Sequence, residues 1–273
     1  MITQYNKAIA FKALHDQKEG FIIPNPWDVG SAKLLADLGF KALATTSWGF
    51  AGSLGDLDGN ISLETVLEHC RALCAATDLP ISADFENAFA DDPGQAATNI
   101  LRVTETGVAG CSIEDITNDG SKSSLDFNHA VEKVSAAVEA VRSLDFPFML
   151  TARAENMFHG NDDLDDTIRR LQAFEEAGAD VLYAPGLKTL DEVRMVTSAV
   201  NKPVNVLAST LKGITTAQLF EAGAQRISVG GALARAAMSA LLRAGIEMRD
   251  QGSFAWLDNL TPGVEIMRVF KAE

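Results

Sequence analysis

Ile81-Ser82-Ala83-Asp84-Phe85-Glu86 is the stretch whose reading decides the fold. It starts as a short apolar strand, expected over 81–84, and ends in two acids. Upstream, Ser62 caps a helix expected over 63–77, with Glu64 and Thr65 in its first turn. Downstream, Pro93 starts a helix that runs to Thr106-Gly107. A strand set between two helices is one beat of a rhythm that extends in both directions. Toward the N-terminus lie an amphipathic helix from about Gln4 to Lys18 with Ile9, Phe11 and Leu14 on its apolar side, and a strand at 21–23. A turn (Pro24-Asn25-Pro26), a helix from Gly30 to Leu38-Gly39, a strand at 42–46 and a Gly-rich loop to Asn60 complete that half. Toward the C-terminus the strands fall at 110–114, 147–152, 181–184, 204–207 and 226–229. The helices between and after them fall at 128–143, 163–177, 190–199, 215–222 and 232–249.

Leu38-Gly39-Phe40, Thr106-Gly107-Val108, Ala177-Gly178-Ala179 and Ala222-Gly223-Ala224 mark the points where a helix hands over to a strand. Glycine supplies the left-handed C-cap and the apolar residue after it opens the next strand. Strands apolar on both faces and alternating with helices indicate a parallel sheet covered by helices. Eight such units in about 250 residues is the size of a closed (β/α)8 barrel of the α/β class. No linker interrupts the pattern, so residues 1–273 read as a single domain. A helical tail, 252–273, lies beyond the eighth unit and is available for packing on a neighbour.

The 273 residues are 47% hydrophobic and 22% charged, with a formal net charge of −14. That balance disfavours a nucleic-acid or anionic-membrane partner. Cys70, Cys74 and Cys111 form neither a CxxC pair nor a disulfide framework, which points to a reducing, cytoplasmic compartment. Cys70 and Cys74 read as the inner face of a helix. Residues 1–20 carry Lys7, Lys12, Asp16 and Lys18 and do not read as a signal peptide, and no stretch reaches the roughly 18 apolar residues of a membrane span.

Reactive groups in such barrels sit where strands end. Those places hold Trp27 and Asp28 after the first strand, and Ser47, Trp48, Gly49, Asp56 and Asp58 after the second. The third supplies Asp84 and Glu86, the fourth Glu114 and Asp115, the fifth Arg153 and Glu155. Strand alternation predicts that Asp84 and Glu86 share one face. Two carboxylates leaving a buried strand together need a positive partner, either a metal ion or an arginine. His15, His69, His129 and His159 do not end strands, so a hard, oxygen-loving cation fits better than zinc or iron. Mg2+ keeps waters and takes one or two carboxylates directly, which suits Asp84 as ligand with Asp58, Glu86 and Glu114 around it; Mn2+ meets the same requirements. Arg153 is placed to take a substrate carboxylate or phosphonate. Asp91, Asp92 and Asp115 read as caps or surface charges, and the Ser228-Val229-Gly230-Gly231 turn as a tight junction of helix and barrel.

Several segments together resemble the isocitrate lyase/phosphoenolpyruvate mutase superfamily. They are Asn25-Pro26-Trp27-Asp28-Val29-Gly30-Ser31-Ala32, Ala44-Thr45-Thr46-Ser47, Ser53-Leu54-Gly55 with Asp58-Gly59, and Ser82-Ala83-Asp84-Phe85-Glu86. Ile113-Glu114-Asp115, Ala152-Arg153, Val204-Asn205-Val206 and Arg226-Ile227-Ser228-Val229-Gly230 complete the set. The resemblance implies a Mg2+-dependent barrel whose last helix packs on a neighbouring subunit, in homodimers or homotetramers. It implies Asp84 as direct metal ligand, with Asp58, Glu86 and Glu114 holding metal-bound water. Ser47 and the backbone through Trp48 and Gly49 would grip a substrate carboxylate, Arg153 the second anionic group, with Trp27 and Asp28 beside them. Ser47, Glu114 and Arg153 become the expected catalytic residues. Members cleave or form C–C or C–P bonds beside an α-oxo or α-hydroxy acid through a pyruvate-enolate-like species. In this chain, residues 116–124 lack the cysteine and histidine of the isocitrate and methylisocitrate lyases and the Lys-Thr-Asn of the phosphonopyruvate-forming mutases. The expected activity is therefore a Mg2+-dependent C–C lyase or decarboxylase of a small oxaloacetate-like or substituted malate- or citrate-like acid. A C–P bond enzyme and a non-catalytic oxo-acid-binding barrel are the alternatives.

Overall fold

The computed structural model describes residues 2–271. In chain order the first half runs α1 (Gln4–Asp16), β1 (Phe21–Ile22), α2 (Val29–Asp37), β2 (Leu43–Ala44), α3 (Ser47–Ser53), α4 (Leu63–Ala76), β3 (Ile81–Ala83) and α5 (Pro93–Thr104). It continues with β4 (Gly110–Glu114), α6 (Phe127–Arg142), β5 (Met149–Arg153), α7 (Leu164–Glu176), β6 (Val181–Tyr183) and α8 (Leu190–Ala199). The chain closes with β7 (Val204–Leu207), α9 (Thr216–Glu221), β8 (Arg226–Ser228), α10 (Ala232–Gln251) and α11 (Gly263–Lys271). All eight strands are parallel, in the order β1-β8-β7-β6-β5-β4-β3-β2. Where the two ends of the sheet meet, the Ala44 amide donates to the Pro24 carbonyl at 3.1 Å. The sheet is thus curled into the expected (β/α)8 form. Among the described residues no helix is long and apolar enough to cross a membrane.

Alternation along each strand divides the core in two. Outward-facing Ile81, Cys111, Ile113, Leu150, Ala152, Leu182, Val206 and Ile227 pack beneath the helices. Inward residues at the N-terminal mouth, among them Phe21, Ile23, Met149 and Val181, form a second cluster with Ala8 and Phe11 of α1. The first helix therefore plugs the barrel's lower end. Its buried face is Lys7, Ala8, Phe11 and His15, whereas Ile9, expected inside, is 45% exposed. Lys7 goes inside because its ammonium donates to the carbonyls of Cys74 (3.0 Å) and Thr77 (2.6 Å), groups that α4 leaves without helical partners. Gly110 permits the close approach of β4 to β5, since a Cβ there would lie 2.4 Å from the Met149 carbonyl oxygen.

The Gly-rich loop expected after β2 instead contains α3. Glycines weaken a helix by about 1 kcal/mol each, so propensity argues against one here. Tertiary contact overrides it: a Cβ on Gly49 would fall within 3.1 Å of Thr46, Trp27 and Ala234, and one on Gly52 2.8 Å from Met238. Small residues let α3 lie against α10, and the Thr46 hydroxyl caps it by accepting from the Gly49 amide. In the tail, α11 folds back onto its own chain, where Arg268 binds Asp37 through two hydrogen bonds of 3.1 and 2.7 Å. Met1 and the last two residues of the expected tail, 272–273, lie outside the described residues.

His15 closes the barrel floor. Its Nδ1 pairs with the Phe11 carbonyl at 2.8 Å, an acceptor only, so Nδ1 carries the proton and Nε2 faces Arg226 as an acceptor. Burial, reinforced by the Arg226 charge, lowers its pKa from 6.5 to about 3. The unfolded chain then binds this proton more readily than the folded one, so the histidine's contribution is lost as pH falls below about 6.5. Denaturant titrations at pH 7 and pH 5 should show wild type losing more stability than His15→Gln over that interval. Equal losses would refute the buried neutral imidazole.

Candidate active site

The inward residues at the C-terminal ends of the strands surround a cavity of about 350 Å³, within the range of small-molecule sites. Asp84, Ser112, Glu114 and Arg153 enter it from β3 to β5, and Tyr183, Asn205 and Ser228 from β6 to β8. Their period of two explains why: Ser112 and Glu114 face inward because Cys111 and Ile113 face the helices. The interior is polar where a buried parallel strand was expected to be apolar on both faces.

Arg153 stands at the centre of the acids. Its Nη1 lies 2.8 Å from Asp84 Oδ1 and 2.9 Å from Glu114 Oε1, and its Nε donates to Glu155 Oε1 at 2.6 Å. The guanidinium also sits 4.7 Å from the centre of the Tyr183 ring. Nη2 has no protein acceptor among the described residues. The second oxygen of Asp84 accepts from both the amide (2.9 Å) and the hydroxyl (3.0 Å) of Ser47. Both ends of the Asp84 carboxylate are thereby held, one by the first turn of α3 and one by β5. Burial raises Glu155 to about 7 and Glu114 above the usual carboxylate range, against the pull of Arg153.

A second ion pair closes the cavity's upper edge. Lys122, in the loop after β4, donates to Asp58 Oδ2 at 2.8 Å, and Asp58 Oδ1 is buried without a hydrogen-bond partner. The pair ties the loop after β2 to the loop after β4. Burial, with Asp58 and Asp84 nearby, lifts Glu86 to about 7.

The expected alternation of Asp84 and Glu86 fails, because β3 ends at Ala83 and Glu86 adopts φ +47°. Ala88 and Phe89 follow at +58° and +55°, a left-handed run that costs roughly 1–3 kcal/mol per residue. Burial of Phe85 beneath the helices and the bond from Asn99 Nδ2 to the Ala88 carbonyl (2.9 Å) hold it. Glu86 thus approaches the site from the loop beside Asp58, not from the strand. Asp28 is also placed otherwise than expected: it is exposed and caps α2, accepting from the Ser31 amide at 2.6 Å. Trp27 and Gly49 pack on each other outside the cavity wall, while Trp48 does line it. Asp115, expected at the surface, is buried and bonds Arg170 (3.0 Å) and the Glu155 amide (2.8 Å). It braces the β4 and β5 ends from behind. Asp92 caps α5 as expected, and Cys70 is buried within α4.

Lys122, His159, Tyr183, Asn205 and Arg226 all line the cavity and were not among the expected site residues. Arg226 and Asn205 carried a signal, as polar residues inside otherwise apolar strands. Lys122 is the one basic residue in 116–124. His159 lies six residues beyond Arg153 in a loop, where alternation gives no guidance.

The chain is similar to several known proteins. A family model described as phosphoenolpyruvate phosphomutase matches residues 11–249. The crystal structure of a protein from Burkholderia cenocepacia J2315, provisionally assigned as a lyase/mutase, is 51% identical with a TM-score of 0.95, over 98% of this chain and 97% of that one. An oxaloacetate decarboxylase of Rhodopseudomonas palustris (strain BisB5) is 28% identical over 258 residues, 90% of this chain and 86% of that protein. A phosphonopyruvate hydrolase solved with oxalate and Mg2+ shares the fold, with a TM-score of 0.85 at 24% identity over 98% and 95% of the two chains. Matched over most of its length, the chain belongs to the phosphoenolpyruvate phosphomutase family, within the isocitrate lyase/phosphoenolpyruvate mutase superfamily.

Proposed function

We propose that the protein is a Mg2+-dependent lyase or decarboxylase that breaks a C–C bond of a small α-oxo or α-hydroxy acid of the oxaloacetate type. The observation that carries this reading is the charge imbalance around Arg153. Five carboxylates, Asp58, Asp84, Glu86, Glu114 and Glu155, surround two cations, Arg153 and Lys122. Among the described residues no three acidic, His or Cys side chains converge on one point as an all-protein cage. Mg2+ keeps several waters and takes only one or two carboxylates directly, and Asp84 is the carboxylate bound by both Ser47 and Arg153 at the centre of this set. The orphaned Asp58 Oδ1 needs a donor such as a cation-bound water. The residues therefore fit the ion: Asp84 would hold it, with Asp58, Glu86 and Glu114 holding its waters.

Bound there, a divalent cation supplies Lewis acidity toward the substrate's oxo oxygen. The chain's own residues do the rest. Arg153 lines the cavity and packs its guanidinium on the Tyr183 ring, and Nη2 is the donor left for a substrate carboxylate. Ser47 is spent on Asp84 and orients it. The positive field of Arg153 favours the enolate-type anion left when the C–C bond breaks. Although burial opposes its charge, the hydrogen bond to Asp58 raises Lys122 above its ordinary value and keeps it cationic. No cysteine or histidine in 116–124 offers a general acid, and decarboxylation of an oxaloacetate-like acid asks least of such a site. The sequence kinship to an oxaloacetate decarboxylase agrees.

The test is turnover of oxaloacetate, methylisocitrate, dimethylmalate and phosphonopyruvate with Mg2+ and with a chelator. Chelator-sensitive release of pyruvate or a related oxo acid from a C–C substrate is expected. Phosphate from phosphonopyruvate would mean C–P cleavage, and no turnover of any would mean a binding barrel. We further propose a homo-oligomer built on α10 and α11. Leu241, Leu242, Val264 and Met267 are each at least 50% exposed there, an apolar surface monomers seldom leave bare. Light scattering should give a dimer or tetramer mass; a monomer at micromolar concentration would refute it.

A further inference from the structure

His159 is the one histidine in the cavity wall among the described residues. It sits where the loop after β5 makes a single helical turn, in which the amides of Phe158 and His159 donate back to the Glu155 carbonyl at 2.9 and 3.1 Å. Positions four apart share one face of such a turn, so the His159 ring comes beside the Glu155 carboxylate, with Nε2 3.7 Å from an Oε2 that is buried. Neighbouring backbone holds the turn in place. Asn156 Nδ2 donates to the carbonyls of Asn161 (3.2 Å) and Asp163 (2.9 Å). Gly186, in the loop after β6, packs so closely that a Cβ there would fall 2.8 Å from the Phe158 amide nitrogen.

Most titratable groups of the cavity are committed to one another. Asp84, Glu114 and Glu155 are bound to Arg153, and Asp58 to Lys122. Tyr183 is bonded to Ser228, and arginines keep their protons. The His159 ring, by contrast, makes no hydrogen bond among the described residues, and its side chain is 26% exposed, open to proton exchange with solvent. Glu155 faces it from its own turn, Arg153 from the end of β5, Lys122 from the loop after β4 and Asp58 from the loop after β2. Burial, helped by the Lys122 and Arg153 charges, lowers its pKa, so the ring is a neutral base at neutral pH. An imidazole with a carboxylate behind it and solvent in front is the arrangement that moves protons, and such pairs stand loose until a substrate closes them up.

We propose that His159 is a catalytic residue of this cavity, handing a proton to the carbon left electron-rich when the substrate's C–C bond breaks, with Glu155 holding the imidazolium. The proposal rests on the lyase or decarboxylase reading of the same cavity and supplies the acid that residues 116–124 lack. With an oxaloacetate-like acid, the bond to the departing carboxylate breaks, carbon dioxide leaves, and the electron pair of that bond forms the enolate. The enolate carbon then takes the imidazolium proton, the N–H electron pair stays on the ring, and solvent reprotonates it. Run backwards, the neutral ring removes a methyl proton from pyruvate.

Proton NMR of pyruvate in D2O at neutral pH, with Mg2+ and the full chain, follows deuterium uptake by the methyl group. Wild type is expected to catalyse the uptake, and His159→Gln to slow it about a hundredfold, the scale usual for a positioned acid–base group. Carbon dioxide release from oxaloacetate, which precedes the proton transfer, should fall less. His159→Ala should regain exchange when imidazole is added, as it would not if the residue only shaped the loop; a thermal melt checks that both variants fold. Wild-type exchange in His159→Gln, or a loss in folded His159→Ala that imidazole does not rescue, overturns the assignment. Turnover of a C–C substrate with exchange absent, or indifferent to His159, sinks the assignment and leaves the lyase reading standing. His159-dependent exchange without turnover of any acid does the reverse. A wild type with neither exchange nor turnover removes both.

Discussion

Asp84→Ala is expected to lower Mg2+-dependent turnover by about a thousandfold or more, because it deletes the proposed direct ligand of the cation and with it several kcal/mol of charge stabilisation. The substitution should leave the fold intact. Arg153 keeps Glu114 and Glu155 as partners, and Ser47 keeps its place as the first residue of a helix capped by Thr46. The informative measurement pairs kcat/KM across a Mg2+ titration with a far-ultraviolet melt. A folded variant that keeps the wild-type rate and metal dependence would remove Asp84 from the chemistry and with it the proposed metal site.

The second large effect is on stability. Arg153→Met should destabilise the protein by about 3–5 kcal/mol, the range for breaking a buried ion pair by deleting one partner. Three carboxylates, Asp84, Glu114 and Glu155, would face one another with their shared cation gone. Methionine preserves much of the stem's volume, so the loss reads charge and not packing. Urea unfolding at neutral pH measures it. Added Mg2+ should restore part of the loss, since a ligand of the folded state stabilises by mass action. An unchanged midpoint would mean that the acids are already protonated or solvated and that Arg153 does not bind the cluster together.

Much of the fold was legible because its determinants are local. Each handover glycine, as at Gly107 and Gly178 with φ +97° and +102°, announces a helix end within a few residues of its cause. Asp84, Glu114 and Arg153 were legible as strand-end charges for the same reason, since alternation works over two or three residues. α3 was not, since glycines that look like a loop become a helix when α10 lies against them. Glu86 was misplaced because alternation holds only while the strand does, and a left-handed turn intervenes. Asp28 and Asp115 look alike from the sequence, an acid after a strand. One caps a helix in the open, and the other is buried against Arg170.

By itself the sequence determined the eight-unit rhythm, the parallel sheet, and the end of the barrel at which charge collects, since these follow from short-range periodicity and capping. Only the tertiary structure decided who meets whom. It set Arg153 against an aspartate 69 residues away and Lys122 against one 64 residues away, and it put Arg226 within reach of a histidine 211 residues earlier. The opening question, a metal ion or an arginine between the acids, was undecidable from residues 81–86. A carboxylate's counter-charge comes from whatever the barrel brings beside it, and closure of the barrel brings Arg153, with more acid than one arginine can neutralise.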